Sequence, residues 1–385
     1  MTNMLQGDNK KVPLSALKRG LYIHIPFCVR KCRYCDFISY CGREELYDSY
    51  IEALAAEMKE YKGSVVDTIF MGGGTPTALN AVQLDKLCKA INNNFNISTD
   101  YEFTSEANPG TLDKEKAGVL LDNGVNRISL GVQSFNDYEL KKIGRIHDAQ
   151  TAYKTVELLN NSGFDNISID LMTALPDQSM DSLMNSLKIA VQLPLKHISA
   201  YSLIIEDGTP MAAAYDKGEL NLPDEDEDRD MYAAAKGFLE EHGFYQYEIS
   251  NYAKPGYESR HNIKYWQCKE YFGIGVAAHS YIDGVRFSNT NILEDYIGGN
   301  YRGEEKEILT LNDRIFEFII MGMRMNIGIN IYEFKRRFGI SIQDKYGEIL
   351  DKFKNGGFID MTDRCIRFTD KGRDVSNSIL CEFAE

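Results

Sequence analysis

The sequence predicts an α/β fold: a partial (three-quarter) (βα)6 TIM-like barrel with a small C-terminal winged-helix-like domain. Three observations predict it. Short apolar runs alternate with stretches of helical periodicity at roughly 30-residue spacing, the signature of parallel βα units. Six such units occur, too few for the eight-stranded barrel. Cysteine-rich and glycine-rich segments fall just after the strands, at the carboxyl edge where α/β folds bind ligands.

The elements follow in order. Residues 1–19 are a polar lead. Leu21–Ile25 is the first strand, and Glu44–Tyr61 is a helix with Leu46, Tyr50, Leu54 and Met58 on one face. Val65–Met71 is the second strand, closed by Gly72-Gly73-Gly74-Thr75-Pro76-Thr77, and Ala81–Phe95 a helix. Tyr101–Ala107 is the third strand and ends at the turn Asn108-Pro109-Gly110. Asp113–Asn123 is a helix that Thr111 is expected to cap. Arg127–Val132, Asn166–Leu171 and His197–Leu203 are strands four to six, with helices over Ala149–Ser162 and Met180–Leu193.

After Leu203 the rhythm breaks. The acidic run Asp224–Asp230 heads a helix to about Glu241, as suits a helix N-terminus. Residues 244–290 are rich in Tyr, Phe and Gly and read as an aromatic-lined substrate region. Beyond Leu309 come small helices and a hairpin, Phe358–Met361 with Cys365–Phe368. Four segments result: the lead 1–19, the barrel 20–205, an extension 206–308 and the end domain 309–385.

Composition narrows the function classes. A chain of 385 residues with 43% apolar content has ample material for a core. No apolar run reaches the ~20 residues of a bilayer span. Residues 1–19 lack the apolar stretch of a signal peptide, so a cytoplasmic location is expected. A net charge of −14 argues against a nucleic-acid binder.

Three of the eight cysteines stand together as Cys28, Cys32 and Cys35, spaced C-x3-C-x2-C. A zinc site usually takes four ligands as two C-x2-C knuckles. Iron–sulfur clusters are also held by closely spaced thiolates, ordinarily four. Three on a four-iron cubane leave one iron open, free to chelate the amino and carboxylate groups of an amino acid. Cys41, six residues on, is the one scattered cysteine placed to add a ligand. Glycines 72–74 allow a ligand to approach the backbone closely. They are not a phosphate-binding P-loop, because G-x4-G-K-[ST] is missing.

The C-x3-C-x2-C motif, with Tyr34 before its third cysteine, resembles the radical S-adenosylmethionine superfamily. So does Gly-Gly-Gly-Thr-Pro-Thr after the second strand. Residues 22–28, Tyr-Ile-His-Ile-Pro-Phe-Cys, and Leu130–Phe135, Leu-Gly-Val-Gln-Ser-Phe, are similar to the oxygen-independent coproporphyrinogen III oxidase (HemN-like) group. That resemblance, from about residue 20 to the C-terminus, implies a [4Fe–4S] cluster on Cys28, Cys32 and Cys35. It implies that the cluster reductively cleaves S-adenosylmethionine to methionine and a 5′-deoxyadenosyl radical. It implies S-adenosylmethionine contacts from Tyr22, Gly73 and Glu106. Gly74, Thr75, Gln133, Arg145 and Asp170 match positions lining a second cofactor or substrate pocket.

Two departures set the subgroup. The oxidase carries a further cysteine two residues after the third, where this chain has Phe37. Residues 260–266, Arg-His-Asn-Ile-Lys-Tyr-Trp, hold the H-N-x-x-Y-W pattern of HemW-type heme chaperones and the only tryptophan. The resemblance then implies heme as a further cofactor, with His261 a candidate axial ligand and heme-accepting proteins as partners. His24 reads as structural. The competing reading is the oxidase itself, which decarboxylates two propionates to vinyl groups; a third is a zinc-bearing structural module. Whether the chain is an enzyme and whether it forms a homodimer stay open at this point.

Overall fold

A computed structural model describes residues 18–384. The lead expected over 1–19 lies outside the described residues as far as position 17, and Arg19 already opens the first strand. Six strands run parallel and lie side by side in chain order: β1 (Arg19–Ile25), β2 (Val65–Gly73), β3 (Asn96–Ala107), β4 (Arg127–Gln133), β5 (Asn166–Thr173) and β6 (His197–Ser202). The crossovers carry α1 (Tyr47–Met58), α2 (Ala81–Asn94), α3 (Lys114–Asp122), α4 (Asp137–Lys142), α5 (Ala149–Ser162) and α6 (Met180–Ala190). Every residue of β4 is buried, as expected for a strand covered by helices outside and filled by side chains inside.

Helix starts follow local chemistry. Asn80 and Gln83 form a reciprocal capping box on α2. The side chains of Asp148 and Ser179 cap α5 and α6. The cap of α3 is Asp113, which accepts from the Lys116 amide, and not Thr111. Thr111 is occupied in the preceding turn, where its hydroxyl donates to the Asn108 carbonyl at 2.8 Å.

The extension builds onto both edges of this sheet. It comprises α7 (Pro210–Asp216), α8 (Glu225–Glu241), β7 (Tyr245–Glu248), β8 (Asn251–Ala253), α9 (Arg260–Trp266), β9 (Tyr271–Ile274), β10 (His279–Ile282), β11 (Val285–Asn289), α10 (Leu293–Ile297) and β12 (Arg302–Ile308). Strands β8 and β7 continue past β6, and β9 joins β1 in parallel before β10, β11 and β12 follow. The result is one 12-stranded sheet, curled but not closed, whose central edges are covered. The aromatic-rich segment 244–290 therefore carries five short strands, β7 to β11, and the helix α9. Buried Glu57 of α1 ties the extension to the barrel, accepting from the Gly275 amide at 3.0 Å and the Asn289 amide group at 2.7 Å. Tyr296 and Arg302 also donate to it.

The short helix α9 closes the barrel floor. The amides of Arg260 and His261 each donate to Glu102 of β3 at 3.0 Å. Lys264 pairs with Asp67 of β2 at 2.7 Å.

The C-terminal part has its own apolar core around Ile315, Phe318, Phe334, Leu350 and Phe353. It contains α11 (Leu311–Met323), β13 (Ile329–Asn330), α12 (Ile331–Phe338), α13 (Ile342–Asn355), β14 (Ile359–Met361), β15 (Cys365–Phe368), α14 (Asp370–Asp374) and α15 (Ser376–Cys381). Helices followed by a three-stranded sheet, ordered β13-β15-β14, make the small helix–sheet domain.

Candidate functional site

The loop after β1 is pinned before any ligand is considered. The Cys28 amide donates to the Tyr40 carbonyl at 3.0 Å, and the Tyr40 amide returns to Pro26. Phe27 is fully buried between Tyr47 and Tyr50. Further along, the Arg33 amide donates to Ile143 at 3.1 Å, and the Arg33 carbonyl accepts from Met211 at 3.0 Å. Cys28, Cys32 and Cys35 are half-buried on this anchored loop. Burial pushes the Cys35 thiol up to about 11, with Cys32 and Cys28 among its charged neighbours. Burial also raises Cys28, and Cys41 adds to that rise, which puts this exposed fourth cysteine close by.

Two polar groups steady the sulfurs: Thr75 lies 3.4 Å from Cys28 Sγ, and Arg145 donates to Cys32 Sγ at 3.2 Å. Among the described residues no three His, Cys, Asp or Glu side chains gather tightly enough for one metal ion. A cubane places each thiolate on a different iron, so three half-buried thiols on a docked loop suit it.

The glycine segment sits against this loop. The Gly74 amide donates to Ile25 at 2.9 Å, and the Thr75 amide donates to Phe27 at 2.7 Å. A Cβ on Gly74 would lie 2.6 Å from the Ile25 carbonyl oxygen, which is backbone and cannot yield. Gly73 has φ +100° and would drive a Cβ to 2.2 Å from His24 Nδ1.

His24 fixes Tyr22 beneath that glycine. Its Nε2 is 2.9 Å from the Ile38 carbonyl, which can only accept, so Nε2 carries the proton. Nδ1 is then the acceptor for the Tyr22 hydroxyl at 2.9 Å. Burial holds the His24 pKa below its ordinary value, consistent with the neutral ring.

Glu106 ends β3 facing Gly73, whose amide donates to it at 3.1 Å. Burial, then the Asp170 carboxylate, push the Glu106 carboxyl from 4.5 up to about 8; the Gly73 amide and Arg127 oppose the rise. Burial raises Asp170 as well, against Ser199, Arg127, Arg145 and Ser129. A positively charged ligand group entering here would favour the ionised form of both enclosed carboxyls.

Gln133, Arg145 and Asp170 line the next part of the rim. Gln133 adopts φ +70° at the end of β4 and accepts from the Tyr201 hydroxyl at 3.1 Å. Arg145 donates to Asn108 Oδ1, the Gly131 carbonyl and Cys32, so its fork is held by protein groups. Asn108 Nδ2 donates to Thr75 at 2.8 Å, which completes a chain Cys28–Thr75–Asn108–Arg145–Cys32.

Asn108, Tyr201 and Arg127 were not foreseen as site residues. Asn108 sits in a segment that reads simply as a turn. Arg127 is 2% exposed, and its Nε has no hydrogen-bond partner among the described residues. Its only signal in the sequence is an arginine opening an otherwise apolar strand.

His261 lies apart, at the opposite end of the barrel. It is 1% exposed, with Nδ1 3.0 Å from Thr68 and Nε2 2.9 Å from the Tyr265 hydroxyl. Its ring stacks on Phe70 at 5.3 Å. Burial, then Lys264 and Arg127, lower its pKa to about 3. Both ring nitrogens are thus engaged inside the protein.

With this geometry in hand, comparisons with known proteins are specific. Residues 22–190 match the radical SAM superfamily model, and residues 309–375 match the HemN C-terminal domain. The chain is 40% identical over 364 residues to the "Heme chaperone HemW" of Lactococcus lactis, covering 94% of this chain and 96% of that protein. Against the protein of the same name in Bacillus subtilis it is 38% identical, covering 95% of this chain and 99% of the relative. Among solved structures, the coproporphyrinogen III oxidase (HemN) of Escherichia coli, described as a radical SAM enzyme, superposes with a TM-score of 0.83 at 25% identity. That superposition covers 96% of this chain and 90% of the other.

Proposed function

We propose, from the premise that the chain belongs to the radical SAM superfamily and within it to the HemW family, that it is a heme chaperone. It binds heme and passes it to acceptor proteins, while carrying a [4Fe–4S] cluster and binding S-adenosylmethionine. Cys28, Cys32 and Cys35 hold the cluster. Tyr22, Gly73 and Glu106 receive S-adenosylmethionine, and Gly74, Thr75, Gln133, Arg145 and Asp170 line the adjoining pocket. Held by these cysteines and reduced, a cluster would supply an electron to the sulfonium. The chain's own groups orient: Glu106 accepts the ligand ammonium after losing its proton, and the His24–Tyr22 pair holds the pocket floor under Gly73. His261 serves the heme motif by holding the Tyr265 hydroxyl.

The observation that carries this over the oxidase reading is the H-N-x-x-Y-W segment on the floor helix. Phe37, 59% exposed where the oxidase has a cysteine, points the same way. No described helix is long and apolar enough to cross a membrane, and we place the chain in the cytoplasm. We assign 20–205 to the cluster barrel, 206–308 to the extension and heme region, and 309–385 to the end domain. A homodimer is the assembly to test first, by sedimentation.

Reconstituted protein titrated with hemin is expected to show saturable binding with a shifted Soret band; no binding would sink the chaperone reading. The close superposition on HemN makes the oxidase the specific rival. Anaerobic incubation with coproporphyrinogen III, S-adenosylmethionine and a reductant discriminates them, because robust protoporphyrinogen formation would favour the oxidase.

A further inference from the structure

Helix α9 has two faces. His261 points into the barrel, while Tyr265 and Trp266 border a cavity of about 560 Å³ outside the floor. That volume falls within the ~300–1,000 Å³ of small-molecule sites. The walls come from four elements besides α9: Tyr271 of β9, Tyr281 of β10, Arg286 of β11, and Glu317, Ile320 and Met321 of α11. They are mainly aromatic and aliphatic. Two cations stand among them, Lys269 and Arg286. Arg286 is held by Glu317 at 2.9 Å. Lys269 is exposed, and its ammonium makes no hydrogen bond or ion pair with any described residue. The Trp266 indole N–H is buried and has no acceptor among the described residues.

We infer that this cavity, and not the neighbourhood of the His261 ring, is where the porphyrin sits. Its ring system lies against Tyr265, Trp266 and Tyr281, with its carboxylates toward Lys269. The inference rests on the heme-chaperone reading and locates its ligand. Three observations support it. His261 is enclosed with both nitrogens bonded, so an iron would have to displace Thr68 or Tyr265 from one of them and open the floor to reach it. The barrel interior beside Glu106 and Gly73 is the place proposed above for S-adenosylmethionine, so a porphyrin there would compete with it. The cavity instead offers flat apolar walls and an unpaired cation, which is the complement of a planar dicarboxylate.

The test uses full-length, cluster-reconstituted protein titrated with hemin and followed at the Soret band. Ile320→Trp fills the cavity from α11 and is expected to weaken binding at least tenfold. Lys269→Glu places a carboxylate beside the propionates and is expected to weaken binding about fivefold or more. Lys269 is exposed and unpaired, so this variant keeps the question answerable if Ile320→Trp fails to fold. Iron content and S-adenosylmethionine affinity should stay at wild-type values in both. Folded variants that bind hemin as tightly as wild type would overturn this seat while leaving the chaperone reading intact. Wild-type protein that fails to bind hemin would overturn the chaperone reading itself.

Discussion

Glu106→Gln should change stability in a strongly pH-dependent way. The Glu106 carboxyl rises from 4.5 to about 8 in the folded chain, chiefly through burial. A raised folded pKa means the native state holds the proton where the unfolded chain has released it. The contribution of Glu106 is therefore fully present below about pH 4.5 and is lost as pH rises through about 8. Over that whole window the loss is about 5 kcal/mol, of which about 3 kcal/mol falls between pH 5.5 and 9. Glutamine keeps the shape and cannot ionise. The variant should therefore gain about 3 kcal/mol over wild type on going from pH 5.5 to pH 9, read from urea unfolding of both cluster-free proteins. Wild-type and variant curves that keep a constant separation across this range would refute the enclosed, protonated Glu106. A second consequence is calorimetric. If the ligand ammonium takes the place of that proton, S-adenosylmethionine binding near pH 7 should release up to about one proton. Titrations in buffers of different ionisation enthalpy would register it.

Gly73→Ala forces a left-handed residue and displaces the His24 ring, which should cost about 3–4 kcal/mol in strain and two lost hydrogen bonds; denaturant unfolding checks it. Glu57→Ala strands the Gly275, Asn289 and Tyr296 donors and should lower stability by about 3–5 kcal/mol, read from the urea midpoint. Serine at Cys28, Cys32 or Cys35 should each abolish stable iron and sulfide loading. Cys88→Ser, in the buried core, should load normally by the same analysis.

The six parallel strands were legible because each is a compact apolar run followed by turn chemistry, and parallel strands buried on both faces must read that way. The cysteine loop and the glycines stood out because spacing and residue type mark them as candidates directly, and the structure brings them side by side. Strands β7 to β12 were not. They are three to seven residues long, and the two pairings that attach them to the barrel join residues far apart in sequence, as when Ser199 pairs with Asn251 and Leu21 with Phe272. Aromatic content pointed to a pocket when it also marked strand. The length of β3 was underestimated because Asn96–Asp100 is polar and exposed enough to resemble a loop. His261 shows the other limit. A motif can identify a functional segment, but it cannot tell which face of a short helix turns inward. The hydrogen bonds of His261 to Thr68 and Tyr265 depend on where the barrel floor lies.

The floor helix has a consequence for compartments. Its first amides are bonded to Glu102, in the middle of β3 and level with Thr68 of β2, whereas the cysteine loop leaves the far end of β1. From Gly20 to Ile25 the wall between them is about 16 Å long. Helix α9 acts as a bulkhead: a guest beside Glu106 and a guest beside Trp266 occupy separate chambers and cannot collide. The bulkhead is not blank, because the rings of Tyr22, Phe70, His261 and Tyr265 follow one another through it at 6.3, 5.3 and 4.9 Å. With S-adenosylmethionine proposed beside Glu106 and the porphyrin beside Trp266, such a wall would keep a reactive radical precursor away from a redox-active cargo.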